Sequence, residues 1–204
     1  LPTAVDTYKE MMHRIESAKY SIRIMTFILG TDECAKQCVD ALARKAREGV
    51  EISLLLDAVG CFWSRGSFTD PLREAGGKVG VFMPVLSLQR KWSANLRNHR
   101  KIAIFDEETA IIGGRNIADV YMGPEACETH WEDFSSAIEG PAVHSLTEVF
   151  AADWQFATDE VVDRRLPKLE DFPRPGKVTI QTVASGPDVP RSEEHTSELQ
   201  SPLC

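Results

Sequence analysis

No uninterrupted apolar run in the sequence approaches the ~20 residues needed to cross a bilayer, and no signal-peptide pattern is visible. No membrane-spanning helix is therefore expected within these residues. Because the first residue is Leu1 rather than Met, a membrane segment upstream would lie outside them. Positive charge is also short: 23 Lys and Arg face 31 Asp and Glu, for a formal net charge of −8. That sign is wrong for coating duplex nucleic acid, whose phosphates are held mainly by Lys and Arg, so no nucleic-acid partner is expected, although a local basic patch stays compatible with it. Cysteine pairing is missing too. The five cysteines are odd in number and include no CxxC, which argues against a secreted disulfide framework and for a reducing compartment. Cys34 and Cys38, four apart on an expected helix, could join a metal site; that spacing more often means two small apolar residues on a buried face.

What the chain does have is alternation. Hydrophobic residues make up 43% of the 204, enough for one large domain with its own core, or one domain and the start of another. "AVDTYKEMMHRIESA" places Val5, Tyr8, Met11, Met12 and Ile15 at the three-and-four spacing of an amphipathic helix. "YSIRIMTFIL" alternates and then turns wholly apolar, as a buried strand does. A second helix, "TDECAKQCVDALARKAREG", opens on a Thr31 or Asp32 cap and stops at Gly49. "VEISLLLD" is expected to be a strand, "SFTDPLREAGG" a short helix and "KVGVFM" a further strand, with residues 84–97 irregular. Two strands over 99–105 and 109–112 flank "DEE", a turn short enough for a hairpin. "DFSSAIEG" adds a strand ahead of a long helix opened by Pro141. Helices interleaved with short apolar strands predict an α/β fold with a mixed, largely parallel sheet flanked by helices.

Beyond that helix the composition turns charged and Pro-rich, as in a linker, and "KVTIQTVASGPD" then opens a new strand. The expected organisation is a first domain over 1–157, a linker over 158–176, and the start of a truncated second domain over 177–190. Residues 191–204, "RSEEHTSELQSPLC", look like the in-frame translation of a common sequencing adapter. They are treated as a non-native tail in which His195 and Cys204 carry no functional weight.

The chemistry concentrates in "NHRKIAIFDEETAIIGGRN", residues 98–116. In an extended strand residues two apart share a face, so His99 and Lys101 are presented together while Arg100 points away. The hairpin returns the chain to Gly113 and Gly114, whose missing side chains let the backbone and the Asn116 amide approach whatever His99 and Lys101 address. An imidazole, an ammonium and an amide around such a turn suit a tetrahedral anion. His99 can serve as nucleophile or proton carrier, while Lys101 and Asn116 donate to phosphoryl oxygens.

The pattern His99-x-Lys101-x(4)-Asp106-x(6)-Gly113-Gly114-x-Asn116 resembles the HKD signature of the phospholipase D superfamily. Its flanks narrow the resemblance: "GVEISLLLDAVG" at 49–60, "GGRNIADVYMG", the Trp131, Glu132, Asp133 triplet and "EGPAV" at 139–143 are similar to the first half of bacterial cardiolipin synthases, over roughly residues 5–188. The resemblance implies a phospholipase D-like fold forming the first half of a two-half architecture. It further implies a phosphohistidine intermediate, with His99 as nucleophile or its acid/base partner and with Lys101 and Asn116 clamping the phosphoryl oxygens. Asp106 belongs to the same catalytic motif but is usually structural in the family, which agrees with its place at the hairpin turn. A nucleophilic histidine needs a partner on its far nitrogen; Asp133 is the candidate, with Glu139 behind it.

The implied reaction is phosphatidyl transfer, phosphatidylglycerol giving cardiolipin and glycerol. The implied partners are an anionic phospholipid substrate and the cytoplasmic face of a bacterial membrane. No cofactor and no metal are implied, because Lys and His supply the charge and proton functions. Such proteins carry two motifs, one histidine taking the phosphoryl group and the other protonating the leaving alcohol, and residues 1–190 contain no second HxK. The chain is therefore expected to be a fragment, inactive alone, completed by a missing second half in cis or by a second copy across a two-fold axis. Three functions stay open: the phosphatidyltransferase or its hydrolytic phospholipase D variant, a homodimeric nuclease, and a non-catalytic remnant. Arg97, Arg100 and Arg115 either guide an anionic headgroup or form a solvated patch. Phe62 and Trp63 either touch lipid or pack locally. His13 and His144 read as helix residues, and His130 as a loop neighbour of Trp131.

Overall fold

A computed structural model describes residues 1–82, 97–163 and 176–184. Most of the irregular stretch over 84–97, most of the linker over 158–176 and the whole tail over 191–204 lie outside the described residues. The first helix, α1 (Ala4–Ser17), opens with a capping box. The Thr3 hydroxyl accepts the Asp6 N–H, and the Asp6 carboxylate accepts the Thr3 N–H. Tyr8, Met11 and Ile15 form its buried stripe. The next helix, α2 (Glu33–Arg47), is capped by Asp32 rather than Thr31, its carboxylate accepting the Ala35 N–H at 3.1 Å. Gly49, at φ 93°, stands where that helix turns into the following strand.

Among the described residues six strands build one sheet: β1 (Ser21–Thr26), β2 (Glu51–Asp57), β3 (Lys78–Phe82), β4 (Ile102–Phe105), β5 (Thr109–Gly113) and β6 (Ser135–Glu139), in the order β3-β2-β1-β4-β5-β6. The 3₁₀ turn at Ser67–Thr69 and the short helix α3 (Asp70–Glu74) precede β3, and α4 (Ala142–Thr158) follows β6. The mixed α/β class expected from the pattern is the fold seen, but "largely parallel" needs correction. Only β1 with β2 and β2 with β3 run parallel; the other three pairings are antiparallel. Parallel strands need a crossover element such as α2 or α3, whereas β4 returns to β5 through a tight turn and so must reverse direction.

The expected strand over 99–105 is also shorter. β4 begins at Ile102, because its last partner on β1 is Met25, and β1 itself ends at Thr26. His99 and Lys101 thus precede the ladder. Residues 176–184 form no strand, in contrast to their β-like pattern; a strand exists only where a neighbour supplies ladder partners, and among the described residues the sheet's outer strands are β3 and β6.

The two faces of the sheet follow the two-residue period. Ile22, Ile24, Ile52, Leu54, Leu56, Ala103 and Phe105 pack against α1 and α2, while Met25, Leu55, Ile102, Ile104 and Ile138 pack against α4 through Val143, Leu146, Phe150 and Trp154. Cys34 and Cys38 sit within the first of these cores, and burial pushes the Cys38 thiol up to about 12, the behaviour of small apolar residues. Arg23 brings charge into the α4 side. Arg23, 1% exposed in mid-strand, meets buried Glu107 at 2.9 Å, Glu51 at 3.1 Å and the Asp163 carbonyl. These bonds tie together the hairpin and the start of β2 at one end of the sheet. The candidate site occupies the opposite end.

Candidate active site

Parallel strands leave a crevice beyond their carboxyl ends, where loops rather than ladder bonds set the geometry. Here the segment carrying His99 lies at that end of β1 and β2, against Phe27 and Asp57. His99 packs its ring on Phe27, just past β1, with centroids 4.5 Å apart. Lys101 reaches back to it: Nζ lies 2.9 Å from His99 Nδ1, 3.3 Å from Nε2, and donates to the His99 carbonyl at 2.9 Å. Asn116 addresses the same turn from the other side. Its Oδ1 accepts the Ile28 N–H at 2.9 Å and lies 3.4 Å from the Thr26 hydroxyl. Because the oxygen is held by Ile28, the rotation of the amide is fixed and its NH₂ end is the one left to donate elsewhere. His99 and Lys101 thus meet on the Phe27 ring, and Asn116 binds the neighbouring backbone at Ile28.

Electrostatics favour a neutral imidazole. Burial pushes the His99 pKa down, the Lys101 ammonium pushes it further, and only Asp57 works against both. Burial likewise lowers Lys101, opposed by the charge of Asp133. A neutral imidazole beside a positive ammonium keeps a ring nitrogen lone pair for attack and a cation for the oxygens of the attacked group. Replacing Lys101 by Met removes one of the two depressing influences, so the His99 titration is expected to move up towards its ordinary value of 6.5. Imidazole NMR across a pH series checks this; an unmoved midpoint would show that the ammonium exerts no field on the ring.

Not every sequence candidate arrives here. Asp106 sits at the far end of β4, in the hairpin turn at φ 53°, where its carboxylate accepts the N–H groups of Lys19, Tyr20 and Ser21 at 2.7 to 3.1 Å. That is backbone capping, not contact with a reacting group. Glu139 is paired with Thr109, at the hairpin end of β5, and its carboxylate meets Arg14 at 2.8 Å; the structure does not bring it to His99. Asp133 does come close, but its charge acts on Lys101 rather than on the far nitrogen of His99. The carboxylate that acts on His99 is Asp57, which sequence reasoning missed. It is 1% exposed at the end of β2 and accepts the N–H groups of Val59 at 2.8 Å, Gly60 at 3.0 Å and Asn98 at 3.3 Å. A signal for it existed: an acidic residue closing the apolar run "EISLLLD" at the carboxyl end of a parallel strand.

Gly113 and Gly114 have a different task from the one expected. Their absent side chains make room for residues 133–135 rather than for a ligand. A Cβ on Gly113 would collide with the Phe134 carbonyl and stand 2.7 Å from Ser135 Cα, and one on Gly114 would overlap the Asp133 carboxylate. The two clashes differ in kind. Gly113→Ala forces backbone to move and is expected to cost about 1–3 kcal/mol, read as a lower urea midpoint. Gly114→Ala can be relieved by swinging an exposed carboxylate aside and should cost less.

The basic residues are committed too. Arg115 is buried against the Leu1, Pro2 and Asp133 carbonyls and the Thr7 hydroxyl, and Arg100 meets Asp153 at 2.6 Å. Arg97 lies 3.9 Å from Asp57. They do not form a solvated patch. Phe62 and Trp63, 54% and 83% exposed, stand edge to face at 5.1 Å beyond β2, with the Arg65 guanidinium over Phe62. His13 and His144 lie on α1 and α4, as their spacing predicts.

Residues 11–154 match the family described as cardiolipin synthase, PLD-like domain. The chain is 36% identical over 184 residues to the major cardiolipin synthase of Bacillus subtilis, covering 90% of this chain and 38% of that protein. Against cardiolipin synthase A of Pseudomonas entomophila it is 35% identical over 185 residues, covering 91% of this chain and 38% of that one. The chain thus spans well under half the length of these relatives. Among solved structures, phosphatidylserine synthase of Haemophilus influenzae superposes with a TM-score of 0.62 at 18% identity, over 84% of this chain and 40% of that one. Nuc of Salmonella typhimurium, a phospholipase D family member, gives 0.55 at 19% identity, over 73% of this chain and 87% of that one. At those identities the superpositions speak for the fold, and the sequence matches speak for the family: this chain is a member of the phospholipase D-like cardiolipin synthase domain family.

Proposed function

We propose that the chain supplies one half of a phosphatidyl-transfer site that makes cardiolipin from two molecules of phosphatidylglycerol. The observation that carries the reading is the Lys101 ammonium 2.9 Å from His99 Nδ1, a neutral nucleophile and a cation placed to share one phosphoryl group. A His99 ring nitrogen attacks phosphorus, the P–N bond forms, and the bond to the glycerol headgroup breaks. Lys101 and the Asn116 NH₂ hold the non-bridging oxygens as their charge grows. The departing glycerol oxygen takes its proton from an acid of the completing half; the hydroxyl of a second phosphatidylglycerol, giving its proton to the base so formed, then attacks phosphorus, the P–N bond to His99 breaks, and cardiolipin results.

Both reactants are bilayer lipids, so the protein works at a membrane surface, on its cytoplasmic face. Among the described residues no helix is long and apolar enough to cross a membrane; exposed Phe62 and Trp63 at the site end of the sheet suit contact with an interface. The completing half follows in cis or comes from a second copy.

The test joins this chain to the continuation of its gene and supplies phosphatidylglycerol labelled in the headgroup. Cardiolipin with free labelled glycerol supports the reading. Phosphatidic acid alone would make the protein a hydrolase, and cleavage of DNA by the chain alone would make it a homodimeric nuclease. No turnover of any of these by a folded protein would leave a non-catalytic remnant.

A further inference from the structure

Residues 98–101 carry two messages on alternate side chains. His99 and Lys101 face the crevice. Asn98 and Arg100 turn to the other side of the sheet and end on a single carboxylate, Asp153 of α4, which is 1% exposed. Asn98 Nδ2 donates to Asp153 Oδ2 at 2.7 Å, and Arg100 Nη1 lies 2.6 Å from both carboxylate oxygens. The Arg100 N–H in turn donates to Asn98 Oδ1 at 3.1 Å. This segment lies ahead of Ile102, where the β1–β4 ladder begins, so no ladder register fixes it. Side-chain bonds hold it instead.

Burying a carboxylate is costly unless its oxygens are met by donors. Elsewhere the packed face of α4 carries no charge: Val143, Leu146, Phe150 and Trp154 are apolar, and the Thr147 hydroxyl is satisfied within the helix by the Val143 carbonyl. A helix that only filled a core would carry an apolar residue at 153 as well. Instead the carboxylate takes donors from two residues that flank and interleave the histidine and the lysine. We infer that Asp153 is a positioning residue for the His99–Lys101 pair, setting from beneath the sheet the conformation that brings ammonium and imidazole together. The inference rests on the phosphatidyl-transfer reading for its purpose, but its test reads geometry in the chain itself, so failure of one is distinguishable from failure of the other.

The test compares Asp153→Asn with Glu107→Gln in this chain. The second change weakens a buried ion pair at the opposite end of the sheet and so reports on stability alone. In folded Asp153→Asn, hydrogen exchange is expected to show about a tenfold loss of protection at the Asn98 and Arg100 amides. The His99 imidazole, released from its close ammonium, is expected to titrate nearer its ordinary value of 6.5. Glu107→Gln should lower the melting temperature and leave both readings unchanged. Should Asp153→Asn fail to fold, Arg100→Gln, which keeps the Asn98 bond to Asp153, serves in its place with the same upward shift. An unmoved His99 midpoint in a folded variant, or an equal movement in Glu107→Gln, would overturn the proposal.

Discussion

Replacing His99 by Ala is expected to lower cardiolipin formation by on the order of 10⁴-fold or more in the protein that carries both halves, without unfolding it. The two parts of this expectation have separate causes. Chemistry fails because neither described partner of His99 can replace it as nucleophile: Lys101 is a cation, and Asn116 is an amide whose oxygen is already engaged by Ile28. Folding survives because the His99 ring packs on Phe27 outside both core clusters, and the backbone around it is held by Asp57 and Asp153 through its neighbours. Headgroup release and a thermal melt, run on the same preparation, separate the two. Unchanged product formation would refute the assignment of His99, and a lost melting transition would mean that the ring has a structural task the contacts do not show.

The pH dependence of the wild type follows from the same group. Its folded pKa is depressed, so His99 stays neutral below pH 6.5, and the acid limb of the rate profile should lie below that value. The sign for stability is the complement. The unfolded chain binds the proton first as pH falls through 6.5, so this residue costs no stability above that pH, a growing amount down to its folded pKa, and the full amount below it.

Much of this arrangement was legible in the sequence, and the parts that were not share a cause. α1, α2 and β1 to β3 announce themselves through periodicity and caps, because each buries one face against the next in order along the chain. The parity of residues 98–101 was legible too, although β4 is shorter than its pattern: an extended segment keeps its alternation outside a ladder if both sets of side chains find partners. What periodicity cannot show is which partner. Gly113 reads as a place for a ligand to approach, yet the approaching group is Phe134, twenty-one residues later in the chain. Arg100 and Arg115 read as free cations, and only the folded chain reveals Asp153 and the Leu1 and Pro2 carbonyls against them. Asp57 escaped notice because an acid closing an apolar strand looks like a strand end. Its meaning comes from the segment that leads into β4, on the far side of β1, which brings His99 within reach of its charge.

Asp106 shows how a motif position can be fixed by folding rather than by chemistry, and its replacement by Ala is expected to cost about 2–4 kcal/mol of stability. Three backbone N–H groups, from Lys19, Tyr20 and Ser21, lose their acceptor together. The turn suffers as well, since φ 53° is a conformation that Asp and Asn tolerate better than Ala. Asp106→Asn keeps that tolerance and one acceptor oxygen, so it should fall between wild type and Ala. Neither change should alter turnover per folded molecule. Asp106 lies five residue steps of chain beyond Lys101, roughly 16 Å when extended, and the segment bearing His99 is anchored independently of the hairpin. Urea midpoints should therefore fall in the order wild type, Asn, Ala, while kcat measured well below each midpoint stays level. A folded Asp106→Ala protein that binds substrate but turns nothing over would place the carboxylate in the chemistry after all, and would require the hairpin end of β4 to reach the reacting phosphate by a movement this structure does not contain.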